Sequence, residues 1–136
     1  MAASVRELLS ESTEAVLRGD VAAVAKLYHP NAALHLPGAD LIIGRTAITE
    51  HFTQLIAQQP ANVEHEVTEE HLHEVTPDLA IVDTVGTSRW GDDQSGVEGF
   101  TMIAVRDDSG EWLWAGVRGA LVPNSGTKPP YDRQTL

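Results

Sequence analysis

Residues 111–122, EWLWAGVRGALV, decide how the rest of the chain is read. The stretch follows a turn signal, Asp107-Asp108-Ser109-Gly110, and stops at Pro123. It reads as a strand, whose successive side chains point to opposite faces. One alternate set is Trp112, Trp114, Gly116, Arg118, Ala120 and Val122; the other is Leu113, Ala115, Val117, Gly119 and Leu121. The second set is small and wholly apolar, so helices or a ligand can approach it closely. It is expected to face the interior. The set with both tryptophans and Arg118 is expected to face outward and be covered by a second subunit, since aromatic residues and arginine are enriched at interfaces.

Upstream of this strand the two-residue period continues. Residues 63–75, 79–90 and 97–106 read as strands, separated by Thr76-Pro77-Asp78, by the Gly91–Gly96 loop and by the Asp107–Gly110 turn. Four consecutive strands on short loops predict an antiparallel meander. Before residue 63 the spacing is helical. Residues 4–18 place Val5, Leu8, Leu9, Ala15 and Val16 near one face, with Ser4 and Glu7 as a capping box. Gly19 ends that helix, Asp20 caps a short second one over 21–28, and Pro30 stops it. Residues 32–36 and 41–43 predict a small hairpin around Pro37-Gly38-Ala39-Asp40, and 46–58 a third helix. Helices first and a meander after predict an α+β fold, three helices packed on one face of a curved antiparallel sheet.

Composition narrows the function classes. The 136 residues suit one domain, expected over 1–122, with a Pro-, Gly- and Lys-containing tail over 123–136. There is no cysteine, which removes disulfides, thiolate chemistry and Cys-ligated zinc. The formal net charge is -11 with nine basic residues, scattered rather than clustered, so nucleic acid and anionic membrane are not expected partners. Acidity of this degree favours a neutral or apolar small molecule over a phosphorylated one. No secretory signal and no membrane span are read, and a cytoplasmic location is expected.

Several local signatures, in this order, resemble a known group. Gly19-Asp20 lies between two helices, Leu27-Tyr28-His29-Pro30-Asn31-Ala32 follows the second, and Gly44-Arg45-Thr46-Ala47-Ile48 opens the third. With Gly110-Glu111-Trp112 before the last strand, the chain resembles the nuclear transport factor two-like (SnoaL-like) superfamily. Within it, the chain looks most similar to the SgcJ/EcaC-type proteins of enediyne biosynthesis. The resemblance implies a cystatin-like cone with a pocket inside, and homodimerisation through the sheet. Ketosteroid isomerase, of the same fold, uses a tyrosine on its first helix and an aspartate before the proline of its first hairpin. Those positions correspond here to Ser12 and to Leu36, or to His35 under a one-residue shift. The isomerase pattern is not reproduced, and fold alone does not settle function.

Five residues stand out as site candidates. His35 lies between Leu34 and Leu36 near the expected cone mouth, where an imidazole suits general-base work. Asp83 shares parity with Leu79, Ile81 and Val85, and a carboxylate on an apolar face must be paired, protonated or functional. These two are the expected catalytic residues; a backbone-satisfied His35 and a buried Asp83 ion pair are the structural alternatives. Tyr28, Trp90 and Arg118 are the expected ligand contacts. His65, His71 and His73 share one parity among Glu64, Glu66, Glu69, Glu70 and Glu74, a pattern that reads as a solvated strand more than a metal site. No nicotinamide, flavin, phosphate-loop or nucleophile-elbow motif is present, so no cofactor is expected. Two functions fit. One is a binding protein or enzyme for a hydrophobic polyene or polyketide intermediate; the other is a non-catalytic homodimeric accessory protein.

Overall fold

The computed structural model of the chain describes residues 2–59, 62–91 and 94–121. The expected tail over 123–136 lies outside them. Helix α1 spans Val5–Arg18. Ser4 Oγ accepts from Glu7 N at 3.2 Å, and the Glu7 carboxylate accepts from Ala3 N at 2.9 Å, so the capping box closes one residue upstream of Ser4. Gly19 ends the helix with φ 74°, a left-handed conformation that glycine adopts without Cβ strain. Asp20 then caps α2, Val21–Lys26, accepting from Ala23 N at 3.0 Å.

The chain leaves α2 earlier than its helical spacing suggests. Strand β1 spans Tyr28–His35, so Tyr28 is the first strand residue rather than the last helical one. The cause is tertiary pairing. Tyr28 registers with Trp114, and Trp114 N donates to Leu27 O at 2.8 Å. Strand β2, Ile42–Ile43, completes the short hairpin, and α3, Arg45–Ala57, follows directly from Gly44. Strands β3, Glu64–Thr76, β4, Leu79–Trp90, β5, Gln94–Arg106, and β6, Trp112–Leu121, form the expected meander.

The six strands lie in the order β2-β1-β6-β5-β4-β3. All neighbours are antiparallel except β1 and β6, a parallel pair that a meander alone does not contain. The core lies between the helices and one face of this sheet. Leu8, Ala15, Val24, Ile48 and Phe52 come from the helices; Leu34, Ala80, Val82, Met102, Ala104, Trp114 and Val117 come from the strands. This is a cystatin-like α+β cone, as the sequence predicts. β3 is an outermost strand, and its many glutamates blunt an edge that would otherwise recruit another strand.

Of the four irregularities in strand register among the described residues, two alter facings that matter for the site. In β6, Trp114 opposes Ala104 and Gly116 opposes Ile103, which leaves Ala115 as an extra residue. An extra residue reverses the alternation. Trp112 and Trp114 therefore share the core-facing side with Val117 and Gly119, while Arg118 points outward. The expectation that both tryptophans lie outside is corrected: Trp114 is 1 % exposed and Trp112 is 5 % exposed. In β3, Val67 opposes Gly86 and Glu69 opposes Val85, leaving Thr68 extra. The Thr68 hydroxyl donates to Val85 O at 3.1 Å, which ties the bulge to its neighbour.

Candidate functional site

The strand registers divide the inner, helix-facing side of the sheet into rows. Two rows at the closed end are almost wholly apolar: Ala80, Ala104, Trp114 and Tyr28, then Leu72, Val82, Met102, Val117 and Leu34. Toward the other end polar groups replace them. The next rows carry Glu70, Thr84, Phe100 and Gly119, then Val67, Gly86 and Glu98, then His65, Ser88 and Gly96. Trp90 follows Ser88 on the same side of β4. The ring of Trp90 lies over Gly96, 3.5 Å from where a Cβ would stand.

A cleft opens at this polar end between α1 and the inner side of β3. Its volume is about 320 Å³, and Arg6, Leu9, Ser10, Thr13, Glu14, Val67 and Glu70 line it. Arg6 Nη1 and Glu70 Oε1 meet at 2.9 Å across it, an exposed ion pair that contributes little to stability and can rearrange. Beyond Val67, His65 is the next inward residue of β3. His65 Nδ1 lies 3.0 Å from Ser88 Oγ, and the imidazole occupies the space above Gly86. A Cβ on Gly86 would come within 2.8 Å of His65 Cε1.

The five residues expected from sequence do not converge. Tyr28 and Trp90 both face inward but at opposite ends of the cone. The ten residues of β4 between the row of Tyr28 and Trp90 span roughly 33 Å, too far for one small ligand. Tyr28 is 6 % exposed, packed on Phe52 with ring centroids 5.9 Å apart, and burial pushes its hydroxyl pKa well up, so it stays protonated. Its carbonyl is held by the Arg45 guanidinium, through Nε at 2.8 Å and through Nη2.

His35, Asp83 and Arg118 lie together, but on the outer side of the sheet. They belong to one lateral row, His71, Asp83, Thr101, Arg118 and His35. Asp83 is exposed, and its Oδ1 accepts from Thr101 Oγ1 at 2.6 Å. The apolar parity that singled it out is real, but that parity is the uncovered one. The structural alternative, a buried ion pair with Arg89 or Arg118, is not met among the described residues; the Thr101 hydroxyl donates to Asp83 instead.

The isomerase-type positions are also accounted for. Ser12 Oγ accepts from Trp114 Nε1 at 2.6 Å and donates to Leu8 O at 2.7 Å, which ties α1 to the sheet. Leu36 packs against the core. Neither is a proton-transfer group.

Sequence reasoning placed His65 on a solvated strand face with His71 and His73, and it missed Ser88 and the cleft. The Thr68 bulge separates His65, facing inward, from His71 and His73, facing outward, where a strict two-residue period joins all three. Among the described residues no cluster of three or more His, Asp or Glu side chains is placed to hold a metal ion. One signal was available: an isolated glycine inside a strand, Gly86, marks a bulge or a close approach.

Fold and site define a cone-shaped α+β protein with an opening on the helix-facing side of its sheet. The chain matches the SnoaL-like domain family over residues 9–112, and it belongs to that family. It is similar to the steroid Delta-isomerase of Nocardioides simplex, 45 % identical over 56 residues; that match covers 40 % of this chain and 46 % of the relative. The match thus spans less than half the length of either protein. Among solved structures it is similar to a nuclear transport factor two-like protein of unknown function from Pseudomonas putida. The TM-score is 0.79 at 21 % identity, covering 96 % of this chain and 87 % of that one. It is also similar to a ketosteroid isomerase-like protein from Erwinia carotovora atroseptica, with TM-score 0.74, 17 % identity, and 87 % and 93 % coverage. Identities this low speak to fold alone. No helix among the described residues is long and apolar enough to cross a membrane.

Proposed function

We propose that the chain binds a neutral, hydrophobic small molecule, of polyene or polyketide type, in the cleft between α1 and the inner side of β3. The observation that carries this reading is the cleft itself. Its volume of about 320 Å³ falls at the lower end of small-ligand sites, roughly 300–1,000 Å³, and it combines apolar and polar lining as such sites do. The net charge of -11 disfavours anionic ligands. The partial match to a steroid isomerase and the resemblance to enediyne-cluster proteins support a natural-product ligand. The test is calorimetric titration with a neutral polyene such as retinol and a polyketide such as emodin. Saturable binding that disappears in Val67→Arg, which fills the cleft, is the expected result. Binding that survives Val67→Arg, or no binding to wild type, refutes the reading.

A second reading is a homodimeric accessory protein, and one observation favours it. Ile81, Ile103 and Ile43 lie in a single lateral row on the outer side, 36 %, 41 % and 66 % exposed. Beside that apolar row runs the row of His35, Arg118, Thr101 and Asp83. A second copy seated here would bury both rows and give His35, Asp83 and Arg118 an interfacial role. Light scattering on the purified chain should give twice the 14.7 kDa monomer mass, and Ile103→Glu should return it to monomer. A wild-type monomer at micromolar concentration removes this reading.

A further inference from the structure

We infer that a second copy of the chain docks on the outer side of the sheet about a two-fold axis running along β5, which pairs Asp83 with the partner's Arg118. The inference rests on the homodimer reading of that face and adds the orientation and the contacts that hold it. The outer row His71, Asp83, Thr101, Arg118 and His35 takes one residue each from β3, β4, β5, β6 and β1. Thr101 is its centre. An acid stands one strand to one side, a base one strand to the other, and a histidine beyond each. Folding the row about Thr101 sets Asp83 against the partner's Arg118, and two-fold symmetry makes the same contact twice.

The flanking outer rows are complementary about the same line. One carries Ile81, Ile103 and Gly116 on β4, β5 and β6; the other carries Val85, Gly99 and Ala120. Folded about β5, Ile81 meets the partner's Gly116 and Val85 meets the partner's Ala120, so a large residue faces a small one in both rows. Ile103, 41 % exposed, meets its own copy on the axis. An axis running across the strands at the charged row would instead bring Asp83 onto the partner's Asp83 and Arg118 onto the partner's Arg118, which like-charge repulsion opposes. Face-to-face sheets pack about 10 Å apart with their strands nearly aligned, a gap that an arginine and an aspartate span end to end. Both groups are available for it. Arg118 is exposed and enters no ion pair among the described residues. Asp83 accepts from Thr101 Oγ1 on Oδ1 at 2.6 Å, which holds the carboxylate toward the axis and leaves Oδ2 for the guanidinium.

The experiment is sedimentation equilibrium of the full chain at micromolar concentration, with wild type beside Asp83→Arg, Arg118→Asp and the double exchange. Each single reversal sets like charges in contact twice and should raise the dimer dissociation constant by about a hundredfold or more, leaving monomers of 14.7 kDa. The double exchange restores both pairs and should dimerise as wild type does. An equimolar mixture of the two single variants should also dimerise, because the mixed dimer opposes unlike charges at both contacts. A second readout does not depend on these variants folding. Thr101→Cys supplies the sole thiol of a chain without cysteine, lies on the axis, and should be joined to its copy by a short bismaleimide. Single reversals that stay dimeric, a double exchange or mixture that stays monomeric, or a dimer that Thr101→Cys does not cross-link overturns the pairing while leaving the homodimer reading intact. A wild-type monomer overturns that reading and this inference together.

Discussion

Removing the Ser12 hydroxyl should destabilise the protein, yet the same change should be harmless once Trp114 is a phenylalanine. The indole N–H of Trp114 has Ser12 Oγ as its partner at 2.6 Å, and the tryptophan is 1 % exposed. In Ser12→Ala that N–H is left buried without an acceptor, at a cost of about 1–3 kcal/mol. Alanine is the better helix former inside α1, which returns about 0.5 kcal/mol. The net expectation is a loss of about 0.5–2.5 kcal/mol. In a Trp114→Phe background no donor remains to be orphaned, so Ser12→Ala should be neutral or stabilising by about 0.5 kcal/mol. The double-mutant cycle therefore carries a coupling of about 1–3 kcal/mol between residues 102 positions apart in sequence. Urea unfolding followed by far-ultraviolet circular dichroism measures all four proteins without relying on tryptophan fluorescence. A Ser12→Ala effect of equal size in both backgrounds would refute the proposed strut between α1 and β6.

Further outcomes follow from other contacts. Gly119→Ala would place a Cβ 2.9 Å from Phe100 Cε1 and 3.1 Å from Pro37 Cδ, so one of them must move; a loss of about 1–3 kcal/mol in urea unfolding is expected. Ile48→Ala, which removes a fully buried side chain of α3, should cost about 2–5 kcal/mol by the same assay. Asp107 is held below the ordinary carboxylate pKa by the Ser109 hydroxyl and then by the Glu111 backbone N–H. Because its folded pKa is the depressed one, its stabilisation is present above the ordinary value near 3.8 and is lost as pH falls through the folded value. Asp107→Asn should remove that part of the acid dependence, so the wild-type and variant stability curves should converge toward low pH; curves that stay parallel from pH 6 to 2 would contradict it.

The fold was legible because its signals are local. Ser4, Gly19, Asp20 and Pro30 punctuate the helices, and the two-residue period from residue 63 onward announces four strands joined by polar turns. The parallel contact of β1 with β6 leaves no such local mark, since it joins residues more than 80 positions apart and overrides the helical spacing at Tyr28. The site was far less legible. A bulge adds one residue without changing composition, so Thr68 and Ala115 look like any other strand residues, and facing assigned by strict alternation fails beyond each of them. Asp83 illustrates a separate difficulty. Periodicity shows that Leu79, Ile81, Asp83 and Val85 share a side, but it cannot tell which side the helices cover when both parities of β4 are largely apolar.

The Thr68 bulge is a single inserted residue between two stretches of β3 that each keep their pairing with β4. Deleting Thr68 alone would remove the bulge and leave the rest of the pairing in place, with Val67 still opposite Gly86 and Glu69 still opposite Val85. His65 would stay opposite Ser88 on the helix-facing side, and Glu64 and Glu66 would stay on the other.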